Sequence, residues 1–348
     1  MSTTPPREHR VPTMHDVARV AGVSQRTVSN VVNNYAHVSS RTRERVLHAI
    51  KTLEYRPNAA ARSLRQGRSR VIALAIPDLT WPYFAEIAHL VRAEAERHNY
   101  SVAVIETHAG HGGEGVALSQ YDARMAEGLI LSTIEMDAKQ LDELDIPLPT
   151  VLLGERIHDA ERAHFSINNV EAAREMARHL LEQGARSFIV LGSTDTPVTQ
   201  AAGGLRLRGF MEELAAWGLD ESAILKCPAS PWTLEEGYRA MRVVRRDALP
   251  DAVFAMNDLL AFGGIRALSD RGINVPGDIL FTGWDDIGLA RYAIPTITTV
   301  SPGKEAIVQG ALCALLNLVE GREARLDDVI VEHRIVRRQS TSRTNEAS

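Results

Sequence analysis

Ala21-Gly22-Val23-Ser24-Gln25-Arg26-Thr27-Val28-Ser29-Asn30-Val31-Val32-Asn33 is the stretch from which the rest of the chain can be read. Gly22 supplies the positive-φ turn that ends a short helix over 14–21, and Ser24 is placed to cap a second helix. On the first helix Val17, Ala18 and Val20 are available to pack inward; on the second, Val28, Val31 and Val32 share one face at helical spacing. Gln25, Arg26, Ser29 and Asn30 remain on the outer face. The outline is a helix-turn-helix, and those outward side chains donate to and accept from base edges, Arg suiting guanine and Gln or Asn suiting adenine.

A third helix begins near Ser39, with Val46, Ile50 and Leu53 on one face, and is followed by Tyr55-Arg56-Pro57-Asn58-Ala59-Ala60-Ala61-Arg62-Ser63-Leu64-Arg65. The run from Met14 to Leu64 resembles the headpiece and hinge of the LacI/GalR family of bacterial transcription regulators. That resemblance implies a sequence-specific repressor of carbohydrate uptake or catabolism genes, acting as a homodimer, or as a tetramer, on near-palindromic double-stranded operator DNA. It assigns DNA contact to Thr13, Ser24, Gln25, Arg26, Thr27, Ser29, Asn30, Asn33, His37, Tyr55, Asn58, Ala61 and Leu64. In the hinge, 58–64 is long enough for about two helical turns, and so short a helix needs outside support. Leu64 matches the apolar residue that wedges into the minor groove, and Ala61 the small residue that permits close approach; an apolar wedge unstacks a base step and bends the duplex.

Charge follows the same division. Residues 1–70 carry a net charge of +9 and residues 71–348 a net −14, so a polyanion suits the front of the chain alone. Cys227 and Cys313 are far apart and lack metal-ligand spacing. There is no apolar leader after the N-terminus and no stretch approaching a membrane span, from which a cytoplasmic protein is expected.

From Val71 onward short apolar runs alternate with helical stretches. The expected strands are 71–76, 101–106, 128–131, 151–153, 188–191, 252–255 and 279–282, and the expected helices 83–98, 171–183, 205–217, 234–246 and 259–270. Continuous apolar strands between helices mean parallel sheets covered on both faces. The chain is similar throughout to the type I periplasmic-binding-protein fold of the family. The expected fold class is therefore a small all-α helix-turn-helix DNA-binding domain joined to an α/β two-lobed effector domain with parallel sheets. Its expected divisions are a disordered 1–12, a headpiece 13–57, a hinge 58–69, an effector and dimerisation domain 70–340 and a disordered tail 341–348. Lobe one takes 70–168 and 300–326, and lobe two 169–299 and 327–340.

The resemblance places a small-molecule effector between the lobes, at the carboxyl ends of the strands. It matches Asp78, Tyr83, Phe84, Arg206, Trp232, Asn257, Asp258 and Asp285 to contacts with it. Arg and Asp side chains bind vicinal hydroxyls in donor and acceptor pairs, while apolar sugar faces rest on Trp and Phe. A carbohydrate is the expected effector; a nucleobase, nucleoside or organic acid is the alternative, since Arg206 suits an acid equally well. Gly154 and Asn168 stand where many relatives carry aspartate, which leaves either Glu155 or Arg156 to take the first-lobe role or the site to suit a different ligand.

Gly110-His111-Gly112-Gly113-Glu114-Gly115 satisfies G-x-G-x-x-G but follows the second strand and lacks the acidic residue expected further on. It is read as a mobile glycine loop, not a nucleotide site. His108 and His111 have no further ligand nearby, so neither metal nor cofactor is expected, and no nucleophile motif suggests an enzyme. A solute-binding protein shares the body fold, but the headpiece argues against it.

Overall fold

The computed structural model describes residues 12–32, 35, 37–55, 69–108, 113–157, 162–193, 201–322 and 328–342. The hinge residues Asn58, Ala61 and Leu64, the headpiece residue Asn33, and Gly110, His111 and Gly112 lie outside them. The chain divides into two compact units, 1–69 and 70–348.

Among its described residues the first unit holds three helices, α1 (Met14–Ala21), α2 (Gln25–Val32) and α3 (Ser40–Thr52). Thr13 and Asp16 form a reciprocal capping box at the start of α1, and Gly22 ends it in the left-handed region at φ +62. Ser24 Oγ accepts from Thr27 N at 3.1 Å and so opens α2. The Arg45 guanidinium, from α3, donates to the carbonyls of Ala21 and Gly22 and ties the turn to the third helix. Val17, Val28 and Val46 are fully buried in the core between the helices, with Val31 and Ala49 beside them. Val20 is half exposed: it sits three positions after Val17 but on the outer edge of the apolar stripe, so the expectation that it packs inward does not hold.

Among its described residues the second unit contains two six-stranded sheets with corresponding strand orders. The first uses β1 (Val71–Ile76), β2 (Ser101–Glu106), β3 (Gly128–Ser132), β4 (Thr150–Leu153) and β5 (His164–Ile167); the second uses β6 (Phe188–Leu191), β7 (Ile224–Cys227), β8 (Ala252–Ala255), β9 (Leu280–Trp284) and β10 (Thr298–Ser301). The chain then returns to each in turn with β11 (Asp328–Val331) and β12 (Arg334–Val336). The orders are β11-β5-β4-β3-β1-β2 and β12-β10-β9-β8-β6-β7. Among the described residues every strand pair is parallel except β10 with β12, an antiparallel edge. Along β1, Ile72, Leu74 and Ile76 pack into one apolar cluster while Ala73 and Ala75 pack into another, which is why the run shows no polar alternation.

Helices cover the sheets: α4 (Pro82–Arg97), α5 (Gly113–Gln120), α6 (Ala138–Glu143), α7 (Asn169–Glu182), α8 (Ala202–Ala216), α9 (Leu234–Met241), α10 (Asp258–Ser269) and α11 (Lys304–Val319). The helix expected over 234–246 stops at Met241, and Arg246–Ala248 form a separate 3-10 turn. Gly113, Glu114 and Gly115 begin α5 and are helix, not loop.

The boundaries between lobes differ from those expected. The strand β10 pairs with β9 in the second sheet, so the second crossing falls after 301 and not before 300. The strand β11 pairs with β5 from Asp328 to Val331, which puts it in the first lobe and moves the third crossing to between 331 and 334. The end of the ordered body also lies beyond the expected 340, at least to Ser342. Ser340 and Thr341 are buried, Ser340 Oγ donating to Phe281 O at 2.6 Å and Thr341 Oγ1 pairing with His179 Nε2 at 2.8 Å.

Candidate functional site

Two surfaces carry the expected residues. In the first unit Gln25 and Arg26 are exposed in the first turn of α2, while Ser29 and Asn30 on its next turn are half-buried. The N-terminal residues of such a helix are the ones that reach base edges when it lies in a major groove. Ser24 and Thr27 hold each other at 2.9 Å between hydroxyls and serve the cap. Thr13 is engaged with Asp16 at 2.6 Å. His37 is exposed, edge-on to Tyr35. Tyr55 departs from expectation: it is 7% exposed and part of the headpiece core, because after α3 the chain turns back and packs the ring inward rather than presenting it.

In the second unit the strand ends of the two lobes enclose a cavity of about 890 Å³. Trp81, Tyr83 and Phe84 line it from the start of α4, where Pro82 occupies the first helical position. Glu155 and Arg156 line it after β4, and Trp232, Asn257, Trp284 and Asp285 from the second lobe. Arg206, on α8, is 6% exposed and reaches the same space. Its Nε donates to Asn169 Oδ1 at 2.9 Å and its Nη1 to Met256 O, while the guanidinium lies 4.2 Å from the Trp284 ring centre and 5.5 Å from that of Trp232. Burial lowers its pKa, opposed by the negative charge of Asp285 and Glu155. Fixed on two sides and stacked on indole, the guanidinium is a rigid donor aimed at the cavity.

The partners of the other expected residues separate contact from scaffold. Trp232 is held by its Nε1–H to Gly192 O at 3.0 Å. Asn257 lines the cavity, yet its Oδ1 caps α10 through Leu260 N at 2.9 Å and its Nδ2 donates to Trp232 O at 3.1 Å, so both ends of its amide are occupied in shaping the wall. Asp258 is not at the cavity. It is fully buried beneath β9, accepting from Thr299 Oγ1 at 2.7 Å and Ile287 N at 2.9 Å, in space left because Gly283 has no side chain: a Cβ there would stand 2.1 Å from Asp258 Oδ1. Burial and the charge of Asp285 hold its carboxyl well above the usual range. Asp78 is likewise absent from the lining; it closes a turn, accepting from Thr80 N and Oγ1 at 2.7 Å each.

Asp285 does face the cavity, from a left-handed backbone at φ +103. Burial pushes its carboxyl up to about 7 against the pull of Arg206 and Lys304. An acid that holds its proton more tightly when folded stabilises the fold fully below the ordinary carboxylate range, and that stability is lost as pH rises through the folded value. The ligand-free melting midpoint should therefore fall between about pH 4 and about pH 7, and Asp285→Asn should flatten that fall; equal slopes for the two proteins would refute the assignment.

One residue of the site had no signal in the sequence. Glu114, 1% exposed at the start of α5, accepts from Ile134 N and Met136 N at 2.8 Å, from Glu135 N at 3.3 Å and from Thr133 Oγ1. The loop it gathers lines the cavity through Thr133, Ile134 and Glu135, and Glu135 O accepts both Nε and Nη2 of Arg156. Glu114→Ala leaves two amides, of Ile134 and Glu135, and the Thr133 hydroxyl without an acceptor, while Met136 N keeps Thr133 Oγ1 at 3.0 Å. At about 1–3 kcal/mol for each such group it should cost about 3 kcal/mol or more, read as a melting midpoint lower by several degrees; an unchanged midpoint would show that water replaces the carboxylate without cost.

Comparison with known proteins agrees with this division. Residues 13–58 match the family described as bacterial regulatory proteins, lacI family, and residues 177–341 the periplasmic binding protein-like domain. The chain is 32% identical over 341 residues to the HTH-type transcriptional repressor PurR of Edwardsiella ictaluri, covering 95% of this chain and 97% of that one. It is also 32% identical to the PurR repressor of Proteus mirabilis over 95% of this chain and 97% of that protein. Among solved structures, the Lac repressor dimer bound to operator and the anti-inducer ONPF superimposes with a TM-score of 0.80 at 26% identity, over 95% of this chain and 99% of that one. The regulator CelR in complex with cellobiose superimposes with a TM-score of 0.68 at 28% identity, over 94% and 99%.

Proposed function

Since the chain belongs to the LacI family of bacterial regulatory proteins and is a transcriptional repressor with a DNA-binding and an effector domain, we propose that a carbohydrate bound between its lobes controls its grip on a near-palindromic operator. In this reading the protein works as a cytoplasmic homodimer. Each headpiece reads a half-site through Gln25, Arg26 and Asn30, and the effector changes the separation of the hinges and with it operator affinity.

The observation that carries the effector class is the pairing of flat rings with a fixed donor and acceptor. Trp81, Phe84, Trp232 and Trp284 surround the cavity, with Arg206 and Asp285 among them. Rings take the C–H face of a sugar, and a guanidinium beside a carboxyl takes adjacent hydroxyls. A nucleobase or nucleoside is the second reading, favoured by the repressors named PurR among the relatives and by an arginine stacked on indole, which also suits a flat ring. A thermal-shift screen of mono- and disaccharides against nucleobases, nucleosides and organic acids decides between them, followed by operator binding with and without the hit. Stabilisation by bases alone would overturn the carbohydrate reading. A hit that leaves operator affinity unchanged would overturn the coupling.

A further inference from the structure

Beside the cavity, charged side chains of the first lobe reach across to backbone of the second. Glu86 lies in the second turn of α4, the helix whose first turn bears Tyr83 and Phe84. Its Oε1 accepts from Gly288 N at 2.7 Å and its Oε2 pairs with Lys304 Nζ. Lys304 opens α11, which packs on α4 and on the first sheet. Its ammonium also donates to Asp285 O at 3.0 Å and Asp286 O at 2.9 Å, so three acceptors meet its three protons in a side chain that is 7% exposed as a residue.

The segment being held is strained. Asp285 and Asp286 both have positive φ, +103 and +46, a conformation that side-chain-bearing residues keep only where the surroundings impose it. The second lobe holds the segment from its own side, through Asp258 to Ile287 N at 2.9 Å and Arg338 to Asp286 at 2.6 Å. Loop 285–288 is thus clamped between the lobes, and the carboxyl of Asp285 projects from it into the cavity.

We propose that Glu86 and Lys304 are positioning residues that latch loop 285–288 of the second lobe to the first, setting together the aim of Asp285 into the cleft and the resting separation of the lobes. Its bearing on regulation rests on the effector reading above, but the latch belongs to the unliganded chain. A ligand that engages Asp285 pulls on the same loop, and α4 carries the disturbance to the aromatic wall.

The test needs no ligand. In the full chain with Cys227 and Cys313 changed to serine, nitroxide labels at Lys139→Cys on α6 and Glu235→Cys on α9, both exposed, report the separation of the lobes by pulsed dipolar spectroscopy. The labelled chain is diluted with unlabelled chain. Glu86→Gln and Lys304→Met should each broaden the distance distribution and move it several ångströms outward, and Lys304→Arg should restore most of it. Glu213→Gln, which removes the partner of Arg178 within the second lobe, should leave it unchanged. Titration of the Asp285 carboxyl by 13C NMR adds a readout of opposite signs. Arg206, Lys304, Glu155 and Glu86 are the charges acting on Asp285, so losing Lys304 should raise its midpoint and losing Glu86 should lower it. Distributions that superimpose on the parent, an equal broadening in Glu213→Gln, or midpoints moving the same way would each overturn the latch. If one variant does not fold by circular dichroism, the other decides. Failure of every compound to bind the cleft would sink the effector reading and leave these distances as they are.

Discussion

Replacing Arg206 by methionine should remove the effector response while leaving operator binding in the absence of effector close to wild type. The guanidinium is held by Asn169 and Met256 and stacked on Trp284, so its orientation costs the ligand nothing at the moment of binding. A charge-assisted hydrogen bond in such a site contributes about 1.5–3 kcal/mol, and two of them to adjacent ligand oxygens make a loss of roughly 100- to 10,000-fold in effector affinity. The effect on folding should be far smaller. Methionine keeps the apolar stem against the indoles, and removing a buried charge offsets the loss of its two acceptors. Isothermal titration with the effector, beside operator binding by fluorescence anisotropy, separates the two. An Arg206→Met protein that binds effector within a few-fold of wild type would remove Arg206 from the contact set, and one that no longer binds operator would show the site to be structural.

How far such a site can be read from sequence depends on whether its partners are local. The strands Val71–Ile76, Phe188–Leu191 and Ala252–Ala255 stand where the apolar runs placed them, because strands buried on both faces show as unbroken hydrophobic segments. Two strands that the apolar pattern does not mark, β5 and β10, place polar residues in buried positions. Thr298 and Thr299 in β10 are fully buried, and their hydroxyls are absorbed by Arg338 O, Thr341 and Asp258. His164 in β5 is 1% exposed, with ring nitrogens against Asp328 and Gly154. A pattern reader scores such residues as surface, and only the fold reveals the partner that makes burial tolerable.

The cleft divides along the same line. Tyr83, Phe84, Trp232 and Arg206 were legible because the resemblance aligned them with effector contacts, whereas Trp81 and Trp284 line the cavity without having been singled out and Asp258 was misplaced by one step of a helix. Asn257 caps α10 at the rim and Asp258, next along, points under the sheet. Glu114, Glu86 and Lys304 carried no signal at all. Their acceptors and donors lie about twenty residues away for Glu114 and 202 and 218 residues apart for the Glu86 contacts, and no local spacing encodes a contact of that reach.

In the headpiece the largest single change should follow from alanine at both Gln25 and Arg26. These side chains are exposed in the first turn of α2, directly after the Ser24 cap, and neither belongs to the core of Val17, Val28 and Val46. The double variant should therefore melt within about a degree of wild type, since surface substitutions away from caps and core lie within about 0.5 kcal/mol. Operator affinity should fall much further. A good bidentate side-chain-to-base pair discriminates by about 1–3 kcal/mol, so two lost in each half-site remove at least 100-fold. The distinguishing sign is in the specificity, not the affinity alone. Binding to random duplex comes from phosphate neutralisation, and it should drop by no more than the share of one arginine, with a correspondingly shallower dependence on salt. The gap between operator and random duplex should then narrow toward nothing, in anisotropy titrations at two salt concentrations. Equal losses on both duplexes would mean that these residues grip the backbone, and that the bases are read from elsewhere on the headpiece.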